Sequence, residues 1–551
     1  MTSLRWTEGN PALQREIERQ LAAGEAQCLH DNARRMVFRL QRANGDVLVK
    51  QFRVGSGHHA LRERAKARLG HAPAAREWRM LAAMHAAGIP VPEPLALGTL
   101  ANGDRLLALQ WIDGTSLAEA LRDAPAARRD LLAALAALVR RVHETGFVHG
   151  DLHAGNVLVD ARGPVLLDWQ HARPARTLGH RCSDLARLEF SLAPLVSRGR
   201  RLRVRRSVLE LPATREKGVR DTLLRAGAAA DARARGHARS RTASACRPGR
   251  LAAAFEAEGA RGLRLRELGT DALTAIRAAH RAALAARDGR VCKSDARSSV
   301  TALEVAGQRV VVKETPFRGI ARALADVWRG SAGFRAWRAG HGLLARRIGA
   351  ALPLAFGERR VLGVPVSSWV VLEDLQPATS ATLALEAGAA AAEEVLDALA
   401  QFAIALHRAG VDHGDLKGTH VLLQRAPAGL EPRLIDLEGV RFPVRLRATR
   451  RLHALAELNA SLPDAYPAPL RRRAFRRYAA ALPFRGGWQP ALARVVRESL
   501  ARKHRWTGAG CEEAGASPSP LRAIGSSSTS RGSCRRGRRR SAARRRLRTS
   551  R

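Results

Sequence analysis

Apolar positions along the chain switch between two periods, and the switches recur twice in the same order. Residues 45–52, GDVLVKQF, and 307–315, GQRVVVKET, each follow a Gly-containing turn with a short Val/Leu run that reaches a lysine, Lys50 or Lys313. Runs of this kind predict hairpin strands. Farther on, Leu131, Leu135, Leu138 and Val142 stand three or four residues apart, as do Val395, Leu399, Phe402 and Leu406. That spacing is one face of a helix. Each predicted helix meets a glycine, Gly146 or Gly410, suited to a C-terminal cap. The tetrapeptide HGDL follows in both places, and then a short apolar strand, Val157–Val159 or Val421–Leu423.

A third pair of strings, VLLDWQ (165–170) and RLIDLEG (433–439), completes the set. Lys50 precedes Asp151 by 101 residues and Lys313 precedes Asp415 by 102; the next aspartates, Asp168 and Asp436, follow 17 and 21 residues later. Three motifs kept in order at such spacing imply an internal duplication at long period.

Composition changes this picture mainly at its edges. A chain of 551 residues is too long for one core and suggests two to four domains. The longest uncharged apolar run, Leu131 to Val139, is about half of what a membrane span needs. The first twenty residues contain no apolar run of the signal-peptide kind, so the expected location is cytoplasmic. The net charge of +44 is unevenly spread: residues 197–250 and 514–551 each carry a surplus of twelve positive charges. Neither segment shows apolar periodicity or interleaved aromatics, so no specific nucleic-acid partner is expected. Lysines number only seven among 94 basic residues, a skew that resembles genome base composition. The six cysteines form no CxxC pair, which argues against zinc ribbons and redox motifs.

The expected organisation is a first domain over 1–197, an Arg-rich disordered linker over 198–250, a second domain over 251–508 and a disordered basic tail over 509–551. Two origins stay open for the patternless stretches: linkers, or products of a frameshift. In the latter case the first domain would lack the end of its helical lobe.

The residues that recur suit phosphoryl transfer, which needs charge neutralisation, metal placement and an oriented hydroxyl. A strand lysine, Lys50 or Lys313, can hold the α/β-phosphates of ATP. A loop carboxylate, Asp151 or Asp415, can accept the proton of the attacking hydroxyl. Asn156, five residues later, can ligate metal through its amide oxygen, and Asp168 or Asp436 offers a hard oxygen for Mg²⁺. Glu77, in the helical string AAREWRML, stands where a carboxylate would pair with Lys50. The set matches the protein-kinase signature of strand Lys, H-x-D-x-x-x-x-N loop and metal Asp. Taken singly, each residue also has a plain reading, as an exposed strand lysine, a turn carboxylate or a helix-surface glutamate. His149 and His413 read as holders of the loop more than as bases.

On these motifs, together with REWRMLAAMHAAGIPVPEPLALG (76–98) and RCSDLARLEFSL (181–192), VKETPFRG (312–319) and LHALAELNASLP (452–463), both copies resemble the lipopolysaccharide kinase family, the bacterial Kdo and heptose kinases. The resemblance covers about 1–195 and 255–508. It implies an α+β fold, two tandem protein-kinase-like bilobal domains with ATP and Mg²⁺ in each interlobe cleft. It also implies a sugar hydroxyl of the lipopolysaccharide inner core as acceptor, which peripheral contact with the inner membrane would suit.

The sequence departs from the pattern in places. No GxGxxG precedes either lysine, Ala336 stands where the first copy has Glu77, and His420 replaces the Asn. Lys313 is thus expected to lack its anchoring carboxylate, while His420 remains a candidate metal ligand; if one copy works, the first is favoured. The rival readings are a soluble kinase of the aminoglycoside or choline type and a non-catalytic pseudokinase scaffold.

Overall fold

A computed structural model describes residues 4–502, apart from 33, 55–71, 125, 213, 215, 387–389 and 428. The chain divides into two compact units, residues 1–236 and 237–551. The expected disordered tail over 509–551, with Cys511 and Cys534, lies outside the described residues.

The first unit opens with an antiparallel sheet of six strands: β1 (Leu4–Gly9), β2 (Gln27–Asp31), β3 (Arg35–Leu40), β4 (Val47–Phe52), β5 (Pro94–Leu100) and β6 (Arg105–Gln110), in the order β1-β5-β6-β4-β3-β2. Side chains alternate across a strand, and β4 uses the alternation fully. Val47 and Val49 pack under Leu13 and Ile17 of helix α1 (Pro11–Ala23), whereas Leu48 and Phe52 join the core on the opposite face. Lys50 shares that second face with helix α2 (Pro73–Ala86), in a strand hydrogen-bonded to β3 and β6. The predicted strand therefore lies in the body of the sheet, where its register is held from both sides.

Helices then take over. A two-residue strand, β7 (Thr115–Ser116), leads into α3 (Leu117–Asp123), and α4 (Arg128–Glu144) buries Leu135, Leu138 and Val142 of the predicted stripe. After α4, Gly146 adopts φ +82°, the left-handed turn that glycine makes without strain. Then come β8 (Phe147–Val148), the hairpin β9 (Val157–Asp160) and β10 (Gly163–Leu166), β11 (Arg173–Pro174) and α5 (Leu178–Leu192).

The segment 198–250 corrects the expectation of a disordered linker. It contains two helices, α6 (Arg198–Val208) and α7 (Lys217–Ala245). Val204 and Val208, four residues apart, join the core that includes Leu192 and Val196. Arg205 is not a solvated charge: its Nε lies 2.5 Å from Oε1 of the buried Glu189. In α7 the buried positions include Ala226, Ala238 and Ala245, small residues that carry high helix propensity but no visible apolar stripe. The periodicity was hidden because two valines and several alanines suffice where long arginine stems cover the rest.

The second unit has a seven-stranded antiparallel sheet of β12 (Ala252–Ala257), β13 (Ala260–Leu265), β14 (Val291–Ser294), β15 (Ser299–Val305), β16 (Gln308–Thr315), β17 (Pro353–Val361) and β18 (Val364–Glu373), in the order β12-β13-β17-β18-β16-β15-β14. Leaving β12 aside, this is the strand order of the first unit. Helix α8 (Thr270–Ala286) covers Val310 and Val312 on one face. Residues α9 (Ile320–Arg329) and α10 (Ala332–Leu344) follow β16. The helical part comprises β19 (Thr379–Ser380), α11 (Ala392–Arg408), the hairpin β20 (Val421–Ala426) and β21 (Gly429–Leu434), α12 (Ala448–Ser461), α13 (Ala468–Ala481) and α14 (Trp488–Leu500). All four stripe residues predicted in α11 are buried, and Gly410 after it takes φ +71°.

Candidate active site

In the first unit the sheet and the helices supply complementary charges. The buried residues of α2 are Ala74, Glu77, Leu81 and Met84, an apolar stripe interrupted by one carboxylate. A buried charge needs a partner, and Nζ of Lys50 lies 2.6 Å from Oε1 of Glu77. The side chains are 9% and 0% exposed. Glu77 is thus fully enclosed.

The HGD loop is held from α5. Asp184, buried, accepts the backbone N–H groups of His149 at 3.0 Å and Gly150 at 2.9 Å. His143 of α4 lies 3.4 Å from the same carboxylate. His149 is fully buried, with Nε2 2.8 Å from the carbonyl oxygen of Leu167 and its ring 4.8 Å from that of Trp169. Burial holds its pKa below the ordinary value, against the pull of Asp184, Asp168 and Asp151. It therefore ties the loop to the end of β10, as expected of a structural histidine. Gly150 sits at φ +78°, and a Cβ there would fall 2.0 Å from the carbonyl oxygen of His171. Only glycine fits this turn.

Asp151 projects from the loop half-exposed, with His153 Nε2 3.7 Å from its Oδ2. Asn156 donates its Nδ2 to the carbonyl of Asp151 at 3.0 Å, leaving the amide oxygen for a cation. Asp168 follows β10 at φ 62°, ψ 69°, a left-handed conformation that aspartate tolerates better than most residues. Its Oδ2 is 3.5 Å from Arg35 of β3, and its buried Oδ1 has no hydrogen-bond partner among the described residues. An orphaned buried carboxylate oxygen is costly without a cation. Asp168 and Asn156 accordingly fit Mg²⁺, which prefers hard oxygen ligands.

The second unit repeats the backbone and changes the pairing. Asp436 adopts φ 56°, ψ 60°, and Gly414 φ +81°. Ser461 accepts from Gly418 N–H at 2.8 Å just as Ser191 accepts from Ala154 N–H at 2.9 Å. Ala336 is buried in α10 and offers no carboxylate. The lysine nevertheless has partners: Lys313 Nζ lies 2.6 Å from Asp436 Oδ1 and 2.9 Å from Glu438 Oε1. This corrects the expectation that Lys313 lacks an anchoring carboxylate. Burial opposes the charge of Lys313, but Glu438 and Asp436 outweigh it and raise the pKa well above normal. Burial likewise opposes ionisation of Asp436, and Lys313 with His420 overcomes it and lowers that pKa.

His420 reaches both aspartates, 3.7 Å from Asp436 Oδ2 and 4.0 Å from Asp415 Oδ2. One ligand atom from each of Asp415, His420 and Asp436 lies within 4.8 Å of the others, a spacing one cation could bridge. Lys417 Nζ, however, lies 3.0 Å from Asp415 Oδ2. His413 is buried, which pushes its pKa down to about 4.

Among the predicted residues the structure pairs Lys50 with Glu77, Asn156 with the backbone of Asp151, and Lys313 with Asp436. It joins Asp168 to β3 through Arg35, which sequence reasoning missed. Asp184, Glu438 and Lys417 were also missed. Asp184 had a signal, an acid among the apolar positions of the RCSDLARLEF string, and Glu438 had one in the LIDLEG string two residues after the metal candidate. Trp337 is in the core, while Trp78 is only half-buried.

The sequence matches the lipopolysaccharide kinase (Kdo/WaaP) family over residues 20–210 and 318–475, more than half of the chain. No curated protein matches it. Among solved structures, WaaP in complex with acyl carrier protein is similar at 22% identity and a TM-score of 0.30, over 40% of this chain and 90% of that one. A co-crystal structure of WbdD with a kinase inhibitor is similar at 22% identity and a TM-score of 0.26, over 37% of this chain and 45% of that one.

Proposed function

The chain belongs to the lipopolysaccharide kinase (Kdo/WaaP) family, a family of kinases, and we propose from that premise that it transfers the γ-phosphoryl group of ATP to a hydroxyl of a Kdo or heptose sugar in the lipopolysaccharide inner core. The observation that carries the reading is the buried Lys50–Glu77 pair at 2.6 Å, in the same unit as an anchored HGD loop and an unpartnered Asp168 oxygen.

In this reading Glu77 orients Lys50 toward the α/β-phosphates, and Asp168 and Asn156 hold Mg²⁺. When bound, the metal neutralises phosphate charge. Asp151 accepts the proton of the sugar hydroxyl as its oxygen bonds to the γ-phosphorus and the bond to the bridging oxygen of ADP breaks. Asp184 acts through the loop, fixing where Asp151 points. In the second unit Asp415 takes the part of Asp151, and Asp436 and His420 the part of the metal ligands. There Lys313 is engaged by Asp436, so its use requires the ammonium to move from that carboxylate to phosphate. The first site is therefore the stronger catalyst, and each unit is read as a bilobal kinase domain with its nucleotide between sheet and helices.

The test uses the full-length protein, radiolabelled ATP with Mg²⁺, and a panel of inner-core oligosaccharide, aminoglycosides and choline. Asp151→Ala should reduce transfer to the oligosaccharide by at least about tenfold, and Asp415→Ala by less. Transfer unaffected by either substitution, alone or together, would refute the catalytic assignment. Transfer confined to aminoglycosides or choline would refute the acceptor.

A further inference from the structure

Helix α9 leaves its apolar face uncovered. Phe317, Ile320, Leu324, Val327 and Trp328 are 51%, 72%, 53%, 43% and 92% exposed. Ile320, Leu324, Val327 and Trp328 each lie three or four residues from another of the set and so share one side of the helix, and Phe317 stands just before it. Large apolar side chains this exposed, and this close together, mark a surface that meets something other than water. Arginines border the face: Arg318 precedes the helix, Arg322 lies within it and Arg329 ends it. The one acid of residues 316–330, Asp326, is already engaged at 3.0 Å by both Arg329 and Arg335.

A second element lies on the same side. The β17–β18 hairpin carries Val361, 54% exposed, and Leu362, fully exposed at its tip. Two arginines, Arg359 and Arg360, stand immediately before it. One depression is lined by both Phe317 and Arg359, and another by Val327, Trp328 and Arg360, so helix and hairpin border shared ground.

We propose that α9 and the 361–363 hairpin form a membrane-docking surface for anionic lipid, with the apolar face entering the headgroup boundary and the arginines meeting lipid phosphates. Charge complementarity selects this occupant: Arg318, Arg322, Arg329, Arg359 and Arg360 outnumber the acids beside them, Asp326 on Arg329 at 3.0 Å and Glu358 on Arg360 at 2.6 Å. Apolar protrusions from two elements, rimmed by that positive excess, fit an anionic bilayer. Ten residues make a helix about 15 Å long, too short to span, and no described helix is long and apolar enough to do so. Lying on the surface is the mode this length permits. The helix begins soon after β16, which carries Lys313, so docking would bring the second site to a lipid-borne sugar. This deepens the proposed acceptor assignment, but vesicle binding does not depend on turnover at either site.

The experiment sediments full-length protein with vesicles of phosphatidylglycerol and phosphatidylethanolamine in about 1 M salt, where the screening length falls to about 3 Å and binding through scattered arginines is suppressed. Wild type should remain bound, and the double variant I320E/W328E should bind roughly tenfold more weakly. Both side chains are exposed, so urea midpoints of the two proteins should agree. Trp328→Phe should still bind yet lose part of the quenching produced by brominated phosphatidylglycerol. Equal sedimentation of wild type and I320E/W328E, or sedimentation of neither, overturns the proposal. So does a wild-type dimer that I320E/W328E makes monomeric without lipid, which would assign the face to a second copy. Transfer to a soluble acceptor, measured on the same samples, should be unchanged by I320E/W328E. Its absence in wild type would count against the kinase assignment and leave the vesicle result standing.

Discussion

Replacing Glu77 with leucine would leave the Lys50 ammonium in a pocket that excludes water, with its side chain 9% exposed and its partner at 2.6 Å removed. Breaking one side of a buried ion pair destabilises by about 3–5 kcal/mol, because the remaining charge is neither solvated nor paired. Lys50→Met alone should destabilise similarly, since Glu77 is fully buried. The double variant Lys50→Met/Glu77→Leu removes both charges and substitutes apolar volume, and should recover to within about 1 kcal/mol of wild type. Urea unfolding of the four proteins yields the coupling energy, and hydrogen exchange of the β4 and α2 amides assigns it to the first unit. Mg²⁺-dependent ATP binding gives the contrasting readout. The double variant should regain stability but not nucleotide affinity at the first site, because the phosphates need the lysine. A coupling energy below about 0.5 kcal/mol would refute the premise that burial makes this pair interdependent.

Asp184→Asn should lower transfer at the first site by about a hundredfold while leaving ATP affinity near wild type, since the carboxylate acts on the loop backbone and not on nucleotide; steady-state kinetics separate the two, and an unchanged kcat would dismiss the anchoring role. Gly150→Ala places a Cβ against the carbonyl of His171 and forces a left-handed φ on alanine, so the first unit should lose about 2 kcal/mol or more, read by thermal melting. Burial holds His341 and His413 at about 4 and His407 at about 3 when folded. The unfolded chain, with histidines near 6.5, therefore binds more protons below that pH, and stability present at pH 7 is lost as pH falls from about 6.5 toward 4. Urea midpoints at pH 7 and pH 5 measure this loss. His407→Phe should shrink it, and equal midpoints at the two pH values would contradict the buried neutral state.

Much of the site was legible because its chemistry is local in sequence. HGDL, the apolar runs before Asp168 and Asp436, and the strand lysines carry their reasons within a few residues, and β4, β16, α4 and α11 fall where the periods put them. Pairing across elements was less legible. Glu77 could be placed on a helix face, but only packing shows that the face is buried and aimed at β4. Arg35 reaches Asp168 from 133 residues away, a contact with no local pattern. The helices of 198–245 escaped notice because arginine content masked two valines and a row of alanines that packing could use.

The sequence by itself determined the two sets of motifs, their order and the residue types that suit phosphate and magnesium, since these follow from short-range periodicity and side-chain chemistry. Tertiary structure decided which charges neutralise which. Lys50 is held by a helix carboxylate and Lys313 by Asp436 and Glu438, which follow β21. That difference arises because electrostatic energy depends on distance and burial, and the loss of one carboxylate at Ala336 becomes tolerable only where the fold brings Glu438 within 2.9 Å of Lys313.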